Sequence, residues 1–380
     1  MSSERPKTLI ISDFNVGNLA GYLRNDPDGP PVEVIEAPYG QVVPVLVDKT
    51  LTCWSDNPDF AVVWTQPEAV VESFRPTLDR PMSIDKVLEE VDSYASMVMG
   101  IRDRVRAVLV PTWVVPYYNR GLGMLDLKET GGLANVLMRM NVRLSERFAD
   151  VPGVYLLDAQ RWIASEGKCA FNPKLWYLAK VPFGNQVFVE AVGDIKSALR
   201  GLMGRARKVI ILDLDDTLWG GAVGDLGWEN VRLGGHDHIG EAYADFQSAL
   251  KALASRGIVL TIVSKNEEDV ALRAIQQNPE MILQLDDFVG WKINWQDKAQ
   301  NIVDLMQELN LGLNSAVFID DNPAERERVR EALPDVYVPE WPQDPLTYNQ
   351  SLLSLRCFDS PNISEEDAQR TSYYVTERKR

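Results

Sequence analysis

The run Val209-Ile210-Ile211-Leu212-Asp213-Leu214-Asp215-Asp216-Thr217-Leu218 constrains this chain more than any other stretch. Four β-prone apolar residues end in three acids within four positions. That pattern predicts a buried parallel strand whose C-terminal tip carries the carboxylates. Open α/β sheets bind ligands at such tips. Acids crowded there repel one another unless a cation neutralises them. Hard oxygen ligands suit Mg2+, which takes one or two carboxylates and keeps room for water and phosphate. The run therefore predicts a magnesium site that handles a phosphoryl group.

The rest of the chain alternates in the same way. Strands are expected at 8–12, 32–37, 60–64, 107–112 and 154–157, with helices at 83–104 and 132–149. This alternation predicts a three-layer α/β domain over 1–185. A linking helix follows over 186–207, then a second α/β domain over 208–342 and a tail over 343–380. In the second domain the acidic strand leads into a glycine-rich segment and a helix at 241–255. Strand 258–263 ends at Ser264-Lys265-Asn266, and strand 316–319 ends at Asp320-Asp321-Asn322. Helices are expected at 267–277 and 298–309. Parallel strands would place the three polar tips side by side on one edge.

Each tip supplies a part that phosphoryl transfer needs. Asp213 can act as nucleophile, forming an aspartyl-phosphate. Asp215, two residues on along an extended chain, returns to the same side and can move protons for the leaving group and for water. Ser264 or the backbone after it can bind phosphoryl oxygens. Lys298, at a helix start, can reach phosphate and nucleophile, and that position favours it over Lys292. Asp320 supplies a metal ligand opposite Asp213, with Asp321 a second ligand or an orienting group. Asp215 is also placed in the metal set, and Thr217 among the phosphate-binding residues. Lys265 and Asn266 are either substrate contacts or turn residues.

These motifs resemble those of the haloacid dehalogenase-like (HAD) superfamily: a D-x-D-x-T strand end, a Ser/Thr strand end, a Lys and a terminal acidic pair. All four occur in order here. Leu212 to Gly221, Val263-Ser264-Lys265-Asn266, Asn294-Trp295-Gln296-Asp297-Lys298-Ala299 and Phe318 to Pro323 with Glu325-Arg326 further resemble the FkbH-like branch, HAD phosphatase subfamily IIIC. That branch commonly has Asn where this chain has Asp216, which adds a charge near the metal. Resemblance extends upstream to Ala37-Pro38-Tyr39-Gly40-Gln41 and Asn172-Pro173-Lys174-Leu175-Trp176, and to Ser364-Glu365-Glu366-Asp367 in the tail. It implies a Mg2+-dependent aspartyl nucleophile in a Rossmann-like domain with a minimal cap. It also implies a substrate class, since some members remove phosphate from 1,3-bisphosphoglycerate and load glyceryl onto an acyl carrier protein, whereas others are phosphatases. Such loading needs a thiol, and none of Cys53, Cys169 and Cys357 matches a family cysteine. Family members often continue beyond the point where this chain stops.

The first domain resembles the SGNH-hydrolase-like region that precedes the catalytic unit in this family. Ile11-Ser12-Asp13-Phe14-Asn15 stands at its nucleophile block, and Asp158-Ala159-Gln160-Arg161 at the block that would carry the base. The two histidines, His236 and His238, lie in the other domain, so a Ser-His-Asp triad cannot form within this one. A degenerate binding or docking domain is expected.

A net charge of −16 disfavours non-specific nucleic-acid binding and adhesion to anionic membranes. Three scattered cysteines offer no disulfide framework and fit a reducing cytoplasm. No signal peptide is read at the start, and no apolar run approaches the roughly 18 residues of a membrane span. His236 and His238 are expected as loop residues, and Cys53 and Cys169 as small buried ones. Arg200, Arg205, Arg207 and Lys208 form either a solvated helix end or a docking patch for an acidic carrier protein.

Overall fold

A computed structural model describes residues 5–75, 82–129, 131–363, 370 and 373–376. The expected tail motif at 364–367 lies outside the described residues, as do 1–4 and 377–380. The chain divides into two compact units, Met1–Leu199 and Arg200–Arg380.

The first unit is built on a five-stranded parallel sheet. Its strands are β1 (Lys7–Ser12), β2 (Glu33–Glu36), β3 (Phe60–Trp64), β4 (Ala107–Pro111) and β5 (Val154–Leu157), in the order β2-β1-β3-β4-β5. β3 and β4 are buried at every position. Their continuous apolar runs are what a sheet covered on both faces requires, and each fully buried large side chain contributes about 1.5–3 kcal/mol. The helices Ile84–Met99 and Leu133–Phe148 bury Val87, Val91, Tyr94, Val136, Met140 and Leu144 in one core cluster with β1, β3 and β4. The helix expected as a linker runs over Asn185–Leu202. It begins as part of this unit, because Val187, Phe188, Ala191 and Ile195 are buried and Phe188 packs edge-on against Trp64.

The second unit holds a four-stranded parallel sheet of β6 (Val209–Leu212), β7 (Val259–Ser264), β8 (Phe288–Ile293) and β9 (Ala316–Ile319), in the order β8-β7-β6-β9. One face packs on the helix His238–Ser255, the other on Lys298–Glu308. The fold is the expected α/β, Rossmann-like class. Between β6 and β7 stand only a glycine-rich segment, the one-turn helix Val223–Leu226 and the helix His238–Ser255, so no large cap is inserted between these two strands.

Strand β8 was not expected. Gly290 and Lys292 interrupt its apolar run, and it lies at the sheet edge, where half-exposed positions blur the pattern. Gly290 serves packing there, since a Cβ would stand 3.1 Å from Leu305 Cδ1. The segment expected as a tail is a correction of another kind. Tyr348, Leu352, Cys357 and Phe358 are buried in the same cluster as β6 and β7, because their apolar spacing folds back onto the helix His238–Ser255. No helix among the described residues is long and apolar enough to cross a membrane.

Candidate active site

In both sheets the strand order reverses once. In the second unit the reversal falls between β6 and β9, since β7 and β8 extend one way from β6 and β9 lies on its other side. The crevice beyond such a reversal is where open sheets bind ligands. Register pairs Leu212 with Ile319, and the Asp213 amide donates to the Ile319 carbonyl at 3.0 Å. The next residue on each strand, Asp213 and Asp320, therefore faces the other across the crevice.

Lys298 lies between them. It opens the helix Lys298–Glu308, which Asp297 caps by accepting from the Gln300 amide. Its Nζ reaches Asp213 Oδ2 at 3.0 Å and Asp320 Oδ2 at 2.6 Å, and the side chain is nearly inaccessible. Burial lowers the lysine's affinity for its proton, but the two carboxylates outweigh burial and raise it, so Lys298 is an ammonium. Lys292, its competitor by sequence, is taken by Glu308 at 2.5 Å.

Asp213, Asp320 and Asp321 each bring a carboxylate oxygen within 4.8 Å of the others. Asp320 is fixed at both oxygens, by Lys298 and by the Asn322 amide at 2.9 Å. Asp213 Oδ1 is buried and has no hydrogen-bond partner among the described residues. An orphaned carboxylate oxygen is costly unless something positive meets it. Burial, followed by the Asp213 charge, pushes Asp321 up to about 6 and moves Asp320 in the same direction. The three carboxylates are thus crowded beyond what Lys298 alone relieves, and the donor set fits a hard divalent cation.

The structure narrows two expected roles. Asp215 does not join the metal group. Its Oδ1 accepts from Trp219 Nε1 at 2.9 Å and from the Val223 amide at 3.0 Å, and Oδ2 accepts from Asn266 Nδ2 at 2.9 Å. Burial, as the main cause, raises its carboxyl above the usual range, which suits a group that must hold a proton. Thr217, expected among the phosphate-binding residues, turns its hydroxyl to Asp321. It is fully buried, accepts from the Asp321 amide at 3.2 Å and donates to Asp321 Oδ1 at 3.3 Å, because the chain turns back beneath the site after Asp216.

Ser264 ends β7 and is buried beside this edge. Asn266 is spent on Asp215, and Lys265 pairs with Glu325 Oε1 at 2.6 Å. Asp216 adopts a left-handed φ of 52° and its Oδ1 accepts from the Gly221 amide at 2.7 Å. Gly221 itself has φ +94°, and a Cβ there would stand 2.5 Å from Leu226 Cδ1, so this glycine serves the turn.

Sequence reasoning assigned no role to three supports. Tyr243 and Tyr348 donate to the Asp216 carbonyl at 3.2 and 3.1 Å. Arg326, buried, donates to the carbonyls of Asp320 and Asp321 at 2.7 Å each. Arg326 is part of the motif after the acidic pair but is given no role there; the tyrosines carry no local signal. Asp237 caps the helix His238–Ser255 through the amides of Ile239 and Gly240, which accounts for the histidines beside it. Cys53 is buried as expected, Cys169 is exposed because it sits in the surface turn Gly167–Cys169, and burial pushes the Cys357 thiol up to about 12.

No protein-family model and no curated protein matches the chain. Among solved structures, the chain is similar to the N-terminal part of the protein BF1531 from Bacteroides fragilis, described as containing a phosphatase domain complexed with Mg. Sequence identity is 29%, the TM-score is 0.83, and the match covers 94% of this chain and 95% of that one. A variant of Axe2, an acetyl-xylooligosaccharide esterase from Geobacillus stearmophilus, aligns over 50% of this chain and 93% of its own at 15% identity, with a TM-score of 0.33. The first likeness spans both units and shows a fold shared with a phosphatase-containing protein.

Proposed function

We propose that the protein is a Mg2+-dependent phosphatase of the HAD type, acting on a small phosphorylated acid through an aspartyl-phosphate on Asp213. The observation that carries this reading is the Asp213 carboxylate. One oxygen is held by Lys298, and the other is buried and unpartnered among the described residues, within a three-carboxylate group at the sheet's reversal point. Asp213, Asp320 and Asp321 would hold the ion. When bound, Mg2+ supplies the positive charge that lets a phosphate dianion approach this acidic edge.

The chain's own groups account for the remaining steps. The Asp213 carboxylate attacks phosphorus in line with the leaving oxygen, which takes its proton from Asp215. Asp215 then removes a proton from the water that hydrolyses the aspartyl-phosphate. Its three donors hold both oxygens in place while leaving a lone pair on Oδ2 for that proton. Lys298 holds Asp213 Oδ2 in place and offers positive charge to the phosphoryl oxygens. Likeness to a Mg-complexed phosphatase domain supports the same assignment.

The test is phosphate release from a generic phosphomonoester. Activity is expected with Mg2+, to vanish with EDTA, and to fall at least about 10^3-fold in Asp213→Asn. Full activity in that variant would exclude Asp213 as nucleophile. The absence of a large cap between β6 and β7 favours a second reading on the same site, in which 1,3-bisphosphoglycerate is the substrate and glyceryl passes to an acyl carrier protein. Intact mass spectrometry after incubation with that substrate separates the two, because only the second leaves a glyceryl adduct on a cysteine.

A further inference from the structure

The first sheet reverses its strand order between β1 and β3. By the same rule, a ligand crevice should open beyond these two tips. Two features meet there. Asp13, just past β1, accepts from the Gln66 amide, just past β3, at 2.8 Å. Beside that bond lies a cavity of ≈ 360 Å3 whose wall includes Gln66 and Thr65. That volume suits a small organic molecule. The second unit's reversal is used by the phosphatase reading, whereas no step of that reading uses this one.

The wall of the cavity decides which ligand it fits. Trp64, Tyr118, Phe171, Trp176, Tyr177 and Phe183 contribute aromatic surface. The rings are braced against one another: Trp64 stacks on Phe183 with centroids 5.1 Å apart, and Phe171 contacts Phe183 at 5.4 Å. Trp176 is already used as a cation acceptor, with the Lys180 ammonium 4.8 Å from its ring centroid. The charged side chain on the wall is Glu68, which reaches solvent at the rim while partial burial of its carboxyl raises it above the usual range, and it pairs with no basic residue among those described. No lysine or arginine lines the cavity, and Lys180 is not part of the lining. Asp13, behind Gln66, likewise lacks a basic partner among the described residues, and burial together with the Glu68 charge makes ionising it costly.

We propose that this cavity binds a small organic cation of the quaternary-ammonium type, held by the aromatic wall and by the Glu68 carboxylate. Ring faces are negative and attract a cation whose own surface is apolar. An anion would meet Glu68 with nothing to offset it. A small hydrated ion would gain nothing from the rings, and a neutral polyol would leave the carboxylate unmatched. The experiment titrates the full chain with choline and with its neutral isostere 3,3-dimethyl-1-butanol, following tryptophan fluorescence and calorimetric heat. Choline is expected to saturate and to bind about tenfold or more tighter than the isostere. Glu68→Gln, at an exposed position, should weaken choline about fivefold or more and leave phosphate release unchanged. Trp176→Leu should weaken choline as well. Equal affinity for the two compounds, undiminished binding in both variants, or no saturation up to about 0.1 M would each overturn the assignment.

Discussion

Lys298 is the residue on which the second unit's electrostatics turn. It pairs with two buried carboxylates at once, and removing one partner of a buried ion pair leaves uncompensated charge that costs about 3–5 kcal/mol. Lys298→Met is therefore expected to destabilise this unit by about that amount in denaturant titrations. Added Mg2+ should recover much of the loss, because a cation at Asp213 and Asp320 relieves the same repulsion. A loss that Mg2+ leaves untouched would place the ion elsewhere. At this scale the sequence was informative where a residue's role follows from strand-end position. Asp213, Asp320 and Lys298 converge as their spacing implied. The contacts of Thr217 with Asp321 and of the Asp215 carboxylate with Trp219, Val223 and Asn266 were not legible, because which way a side chain points after a strand ends depends on the turn. Here Asp216 and Gly221 take left-handed backbone that no spacing rule predicts.

The turn after β6 is held from two distant elements. The helix His238–Ser255 supplies Tyr243, and the short helix Tyr348–Leu353 supplies Tyr348, both donating to one carbonyl at Asp216. Burial raises both phenols well above their ordinary range, so they remain neutral donors at any working pH. A buried hydrogen bond of this kind contributes about 0.5–1.5 kcal/mol. Tyr348→Phe should lose roughly that much stability and lower phosphate release a few-fold, because the turn next to Asp215 loses one of the two phenol donors at the Asp216 carbonyl. Wild-type kinetics in this variant would make the contact purely structural. Long amphipathic helices and buried parallel strands were legible because their periodicity is local. The segment beyond 343 was not, since its burial depends on a surface offered by residues about a hundred positions earlier.

Across the whole molecule, each unit has its own sheet and its own buried cluster, so each can respond to pH through its own groups. Asp13 makes this measurable. Burial, followed by the Glu68 charge, pushes its carboxyl up to about 7 in the folded chain, against about 3.9 when unfolded. Below the lower value both states hold the proton and no difference arises. Between the two the folded state binds more protons, so stability falls as pH rises toward 7 and levels off above it. The full span of that loss is up to about 4 kcal/mol, at about 1.4 kcal/mol for each pH unit that separates the two values. Asp13→Asn keeps an oxygen for the Gln66 amide and removes that titration, so its stability should decline less than the native chain's, with Glu68, also raised by burial, the remaining contributor. Each unit carries five tryptophans, so the first unit's unfolding is followed by hydrogen exchange of the β1 and β3 amides, while phosphate release reports the second. Denaturant titrations at pH 5 and pH 8 should show the first unit's exchange transition moving in the native chain and moving less in the variant, where Glu68 still titrates. Phosphate release at a given pH should be equal in the two proteins, because the substitution lies outside the unit that carries Asp213. An equal shift in both proteins would mean that Asp13 is not the titrating group.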